Sequence, residues 1–303
     1  MNDKNFDVII IGGSYAGLSA AMSLGRSLRN VLVIDSGTPC NRQTPHSHNF
    51  LTQDGKTPKE ISTLAKEQVQ QYNTVKFHNG IAIKATKMGD NRFEIATESG
   101  KTFTADKVVL ATGIKDLLPD IEGFSACWGI SAVHCPYCHG YEFKNKKTAI
   151  LANVEVVAHL APLVNNLTND LTILTNGQEV TFSEDLLEKF HKYNINIITD
   201  EIIKMEHQDG SLESIVFKNG KKIPFDAVYS KPAFVQTIDI PVSLGCELTE
   251  HGYIKVDNHQ KTTVPNVFAC GDNASPMRAV ANAVAAGNLV GALINKELTE
   301  ERF

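Results

Sequence analysis

This 303-residue sequence predicts an α/β fold of two doubly wound domains, the second inserted into the first. Three observations carry that expectation. An unbroken apolar run feeds a glycine turn near the N-terminus, and the same pattern returns 140 residues later without a gap. After about Asp239 the features of the first domain reappear. The expected boundaries are 1–116 and 240–303 for the discontinuous first domain and 117–239 for the insert.

The length suits two domains with well-buried cores. Hydrophobic residues at 42% and charged residues at 21% are ordinary for a globular protein. The net charge of −5 argues against nucleic acid as a partner, and no apolar run is long enough to span a bilayer. The chain enters its first apolar run too early to leave room for a signal peptide. A cytoplasmic location is therefore expected, where structural disulfides are rare. Of six cysteines, Cys40, Cys127, Cys246 and Cys270 are scattered and read as small buried apolar side chains. Cys135 and Cys138 form the one C-x-x-C.

Taken in order, residues 8–11 (Val-Ile-Ile-Ile) read as a parallel strand buried on both faces. Residues 12–17 make a glycine turn, 18–28 a helix of small residues, and 31–34 a second strand closed by Asp35. Together they form one Rossmann-like βαβ unit. Residues 93–97 and 102–104 alternate as a hairpin across 98–101, and 211–223 do so in the insert. The repeat places strands at 149–151 and 171–174 around a helix at 156–167.

In a G-x-G-x-x-G turn the first glycine makes the bend and the second admits a pyrophosphate. The third lets helix pack on strand, so that the helix N-terminus faces the phosphates. Here those positions are Gly12, Ser14 and Gly17, with Ala16 inside the turn, and Asp35 is placed to hold ribose hydroxyls. Ser14 departs from the pattern but is small. Two further segments, Ala111-Thr112-Gly113 after a strand and 263–272 ending in Gly271-Asp272, resemble the second and third FAD signatures of the pyridine-nucleotide-disulfide oxidoreductases. FAD is the expected cofactor. Asp272 would meet the ribityl hydroxyls, its alternative reading being a helix-capping aspartate. The helix expected at 278–296 is rich in alanine and glycine, which suits close packing against a cofactor or partner.

The dithiol run is His134-Cys135-Pro136-Tyr137-Cys138-His139-Gly140-Tyr141-Glu142. The spacing lets two thiols form a disulfide and tends to lower the pKa of one. C-x-x-C-H also attaches c-type haem, but nothing else here makes a haem pocket. Four ligands within six residues do not readily surround a tetrahedral zinc, so no metal is expected. C-P-Y-C occurs in glutaredoxins too, there early in a small single domain.

The order of FAD turn, Leu-Ala-Thr-Gly, C-x-x-C, second Rossmann unit and terminal Gly-Asp resembles the low-molecular-weight thioredoxin reductases over nearly the whole chain. The resemblance implies that Cys138 lies against the flavin while Cys135 exchanges with the substrate disulfide, and that the protein is a homodimer. An aspartate that handles the proton normally follows the second cysteine; here His139 stands there, with His134 on the other side. Histidine titrates near ~6.5 and can serve as acid and base. His134 reads equally as a packing residue.

The insert permits a direct test of nicotinamide binding. Opposite Gly12, Ser14 and Gly17 stand Ala152, Val154 and Val157, with Glu155 nearby. A branched side chain and a negative charge thus occupy the place of a pyrophosphate. Opposite Asp35 is Thr175, which offers neither a carboxylate for NADH nor arginines for the 2′-phosphate of NADPH. The fold of the insert is expected to persist with its NADPH site lost. These features resemble a divergent branch that includes the dithiol oxidases closing disulfides in gliotoxin and holomycin. Flavin-type ferredoxin:thioredoxin reductases, also without the fingerprint, run the other way. The motif alone does not set direction, since C-x-x-C couples span roughly 150 mV.

The expected function is thus an NADPH-independent, FAD-dependent thiol–disulfide oxidoreductase such as a dithiol oxidase. Its substrate would be a small dithiol or a thioredoxin-like protein. An NADPH- or ferredoxin-linked thioredoxin reductase and a non-enzymatic flavoprotein redox sensor are the alternatives.

Overall fold

The computed structural model describes residues 4–179 and 181–303, which cluster into two compact units. One unit runs to Arg42 and adds Phe50–Lys115 and Phe234–Phe303; the other comprises Gln43–Asn49 and Asp116–Ala233. Residues 234–239, which the sequence places with the insert, thus cluster with the first unit. Residues 43–49, which it places inside the first domain, cluster with the second. That short segment carries no change of composition. It is held by long-range packing instead: a Cβ on Gly129 would lie 3.1 Å from both Gln43 and Thr44, and Ser47 is buried.

The first unit opens with β1 (Asn5–Ile11), α1 (Tyr15–Arg26) and β2 (Val31–Asp35). β1 and β2 pair in parallel, and alternate residues enter different cores. Val8, Ile10, Val31 and Val33 face the helices, while Ile9, Ile11, Leu32 and Ile34 face the opposite layer. This double burial is why the strands read as unbroken apolar runs. α1 begins directly at the glycine turn and ends two residues before Leu28. Leu28 takes the left-handed conformation (φ 59°), and its N–H donates to Gly25 O. This apolar residue, which the sequence places in the helix, is 79% exposed.

α2 (Pro58–Gln70) starts with a capping box between Thr57 and Glu60. β3 (Val75–Asn79) extends the sheet in parallel beside β2. β4 (Ala82–Lys87), β5 (Phe93–Thr97) and β6 (Thr102–Leu110) form the antiparallel portion, with Phe93 opposite Ala105. β6 also pairs in parallel with β1, and β7 (Ile114–Asp116) follows.

In the second unit come α3 (Phe124–Cys127), β8 (Ala132–Val133), α4 (Pro136–His139), β9 (Thr148–Leu151) and α5 (Val154–Asn165). They are followed by β10 (Leu171–Leu174), α6 (Glu184–Lys192) and β11 (Asn196–Ile198). β12 (Ile202–Gln208), β13 (Ser211–Phe217), β14 (Lys222–Pro224) and β15 (Ala227–Ser230) complete it. The parallel sheet has the order β11-β10-β9-β15-β8, and β12-β13-β14 is an antiparallel sheet containing the expected second hairpin.

The chain returns through β16 (Phe234–Gln236), which pairs with β7, and α7 (Ile240–Ser243). β17 (Val267–Ala269) then joins β6 to complete a seven-stranded sheet. α8 (Val280–Arg302) runs six residues past the expected end and packs along α1. The approach is close: a Cβ on Gly287 would lie 2.0 Å from the Ala16 carbonyl oxygen, so only glycine fits. The alanine–glycine face of α8 therefore serves a helix neighbour. The extra turns are anchored by Lys107, whose side chain is 1% exposed and bonds Glu297 at 3.0 Å and Glu301 at 2.7 Å. Arg29 Nε donates to Asn295 Oδ1 at 2.7 Å, and Arg302 bridges Asp7 and Asp106.

Candidate active site

The turn after β1 is shaped to bring backbone close to a ligand. Gly12 has φ +105°, and a Cβ there would lie 2.2 Å from the Ala111 oxygen. A Cβ on Gly17 would lie 1.9 Å from the Gly12 oxygen, so the helix can sit on its strand only without one. Ser14 is the N-cap of α1 but makes no side-chain capping bond, and no acidic residue stands in the first turn. A helix start without a side-chain cap or a nearby carboxylate is the kind that accommodates an anion. The Asp35 carboxylate accepts from Gly13 N–H at 2.9 Å and Gly37 N–H at 3.2 Å, fixed at the tip of β2 beside the turn.

The other expected FAD residues lie at neighbouring strand ends. Ala111, Thr112 and Gly113 follow β6, and Gly271 and Asp272 follow β17, the strand paired with it. Asp272 lies 3.9 Å from Arg278, and the N-cap of α8 is Ala279, so Asp272 does not cap that helix. Asn273, unassigned by sequence, is fully buried and ties the two strand ends together. Its Nδ2 donates to Leu110 O at 2.9 Å and Thr112 Oγ1 at 3.2 Å.

The matching turn of the second unit is closed by its own side chains. Asn153 Oδ1 accepts from Val156 N–H at 3.0 Å and caps α5, whose first turn carries Glu155. Thr175 is buried, and its hydroxyl donates to Gln178 O within its own loop. The two matching helix starts thus differ: α1 has no side-chain cap and no acidic residue in its first turn, whereas α5 has its Val156 N–H capped by Asn153 and carries Glu155.

Cys135 and Cys138 are joined as a disulfide with Cα atoms 5.3 Å apart. Cys135 is the N-cap of α4, and its sulfur accepts from Cys138 N–H at 3.2 Å. Pro136 fits the first helical position, where a missing N–H costs nothing. Both sulfur-bearing residues are half-buried, while Tyr137 between them is exposed. His139 closes the turn. Burial pushes its pKa below the usual histidine value; Glu142 opposes that fall and His48 adds to it. His134 packs elsewhere, its ring 6.1 Å from that of Trp128, which stacks on Phe124 and donates to Asp116 Oδ2.

His48 is not among the site residues expected from the sequence. Its Nε2 lies 3.5 Å from Glu142 Oε1, brought there by the 43–49 segment. The His46-Ser47-His48 pattern is the one local signal. Of the four scattered cysteines, Cys127, Cys246 and Cys270 are buried as expected, but Cys40 is exposed. Among the described residues no helix is long and apolar enough to cross a membrane, and no cluster could hold a metal.

Comparison with known proteins agrees with this geometry. The chain is 32% identical over 302 residues to thioredoxin reductase tcpT of Claviceps purpurea (strain 20.1), covering 96% of this chain and 94% of that one. An oxidoreductase from Agrobacterium tumefaciens superposes with a TM-score of 0.91 at 36% identity, over 98% of this chain and 99% of its own. The structure of HlmI gives 0.92 at 28% identity, over 98% and 94%. The family model described as pyridine nucleotide-disulphide oxidoreductase matches residues 6–287. With a C-x-x-C disulfide on one unit and a tight glycine turn on the other, this chain belongs to the pyridine nucleotide-disulphide oxidoreductases, enzymes acting on disulfides.

Proposed function

We propose that the protein is an FAD-dependent thiol–disulfide oxidoreductase that oxidises a dithiol through Cys135–Cys138 without NADPH. The observation that carries this reading is the contrast between the two helix starts. The open turn at Gly12, Ser14, Ala16 and Gly17, with Asp35 beside it, fits the pyrophosphate and ribose of one dinucleotide. Ala111, Thr112, Gly113, Gly271 and Asp272 would hold the rest of FAD. At α5, Asn153 already takes the N–H that a phosphate would need, and Glu155 repels it.

In the reaction a substrate thiolate attacks Cys135 Sγ. The Cys135–Cys138 bond breaks, a mixed disulfide forms and Cys138 leaves as a thiolate. The second substrate thiolate then attacks the substrate sulfur of that bond, releasing Cys135. The substrate has lost two electrons and closed its disulfide, and the enzyme pair has gained both. Burial favours the neutral form of His139, the form that accepts a thiol proton. FAD, when bound, supplies the two-electron acceptor that returns the pair to its disulfide.

The test is anaerobic bleaching of the flavin by separate additions of NADPH, NADH and dithiothreitol. Dithiothreitol should bleach it and neither nicotinamide should. Fast stoichiometric bleaching by micromolar NADPH would overturn the reading in favour of an NADPH-linked thioredoxin reductase.

A further inference from the structure

We propose that Tyr137 and Tyr141 form an aromatic platform beside the disulfide that receives the body of the substrate, and that this body is an apolar ring carrying the two thiols. The inference rests on the dithiol reading above and names its substrate class. α4 and the residue after it keep helical geometry: Gly140 has φ −71° and ψ −30°, and its N–H donates to Pro136 O at 2.8 Å. Residues four apart then share a face. Gly140 looks inward, where a Cβ would lie 2.4 Å from Leu167 Cδ1, and Phe143 packs against the buried cluster that holds Val133 and Tyr229. Tyr137 and Tyr141 take the outer face, 69% and 70% exposed. Tyr137 stands between the two cysteines, and Tyr141 three residues past Cys138. Lys144 Nζ lies 3.9 Å from the centroid of the Tyr141 ring, a cation–π contact that covers one face and steadies the ring.

Single exposed apolar residues are ordinary on a protein surface, but two large rings on one helical face against a redox disulfide form a patch. Its extent sets the size of the occupant. Each ring can bury roughly 150–250 Å², whereas a stable protein partner needs about 800 Å² on each side. Charge points the same way. Glu142 pairs with His48, Lys146 with Asp226, and Lys144 sits on Tyr141, so no field of one sign is offered to steer a charged protein. What two aromatic faces do recognise is another apolar face, since rings stacked offset or edge-on gain beyond the area they bury. A ring with thiols on adjacent substituents also holds its sulfurs close enough to close a disulfide. Docking that ring presents one sulfur to Cys135, and the two electrons pass from the substrate thiols to the Cys135–Cys138 bond as described above.

The probes are ortho-benzenedimethanethiol, dithiothreitol and reduced thioredoxin, each mixed anaerobically with the FAD-loaded protein while flavin bleaching is followed. The ratio of the rate constants for the aromatic dithiol and dithiothreitol should fall by roughly tenfold in Tyr137→Ser/Tyr141→Ser, the worth of two ring contacts. Tyr137→Phe/Tyr141→Phe should keep it. A ratio unchanged in the serine variant overturns the proposal. So does reduced thioredoxin bleaching the wild type fastest and losing most from the serine substitutions, which would put a protein on the rings. Binding is also read without turnover and without the serine variant. The cyclic disulfide of ortho-benzenedimethanethiol should shift the ring NMR signals of Tyr137 and Tyr141, assigned by their loss in Tyr137→Phe and Tyr141→Phe. Signals that stay still, or that move with protein concentration alone as a second copy would make them, overturn the proposal. If the signals shift but no dithiol bleaches the flavin, the proposed function falls while the docking surface stands. If dithiols bleach it and neither ratio nor signals respond, the docking surface alone is lost.

Discussion

At the residue scale the two cysteines are chemically equivalent until their neighbours distinguish them. If Cys138 is the one that serves the flavin, Cys135→Ser should show a long-wavelength thiolate–flavin absorption band. Cys138→Ser should lack the band and accumulate a mixed disulfide with substrate. Visible spectra and mass spectrometry of the intact protein check both, and a band in Cys138→Ser instead would reverse the roles. His139→Ala should keep the band in the Cys135→Ser background while slowing turnover by roughly 10²- to 10⁴-fold, the usual share of a general acid–base. Cys127, Cys246 and Cys270 should be nearly silent. Burial pushes Cys270 up to about 12, and it raises Cys127 and Cys246 too. A thiol held protonated is a poor nucleophile. Alkylation of the native, reduced protein should therefore label Cys40, Cys135 and Cys138 and spare the other three, as peptide mapping would show.

At the scale of elements, the α1–α8 contact offers a direct test of packing. Gly287→Ala places a methyl group against the Ala16 carbonyl, so the helices must separate. Overpacking of this kind costs about 1–3 kcal/mol, and because α1 also shapes the dinucleotide turn, FAD retention should fall with it. Denaturant unfolding and flavin content measure the two losses. The cap of α5 should behave differently. Asn153→Ala removes one helix cap, worth about 1 kcal/mol, and should leave flavin content untouched. The same elements show what a linear sequence reveals. Strands buried on both faces were legible because every position is apolar, as in β1 and β2. The stop of α1 was not, because Leu28 looks like a helix residue and is held left-handed and exposed by backbone bonds. The last turns of α8 look like a charged tail, since their partners Asp7, Arg29, Asp106 and Lys107 lie far away along the chain. In the candidate site, the dithiol and glycine turn were legible because their chemistry is local in sequence. His48 and Asn273 were not, because each acts on residues distant in the chain.

At the scale of the whole molecule, if the protein takes electrons from a dithiol without NADPH, as proposed, it must hand them on. With dioxygen as acceptor, each substrate disulfide closed should consume one molecule of oxygen and yield one of hydrogen peroxide. Electrode and peroxide assays should show that ratio unchanged by added NADPH. Oxygen uptake that depends on NADPH would place the protein with the nicotinamide-linked reductases.

The clasp on Lys107 has a further consequence, for the order in which the protein can be made. Lys107 sits in the middle of the first unit's sheet, yet its two carboxylates arrive nearly 200 residues later, at Glu297 and Glu301. A ribosome that has delivered every strand of that sheet has still produced a lysine with no counter-charge. Burying it then would leave a lone cation, which is strongly unfavourable, on the order of 3–5 kcal/mol. The glycine turn expected to hold FAD follows β1, in the same sheet. Nascent chains stalled short of Glu297 should therefore capture FAD poorly although every residue expected to touch it is already present, and chains released after Arg302 should capture it readily.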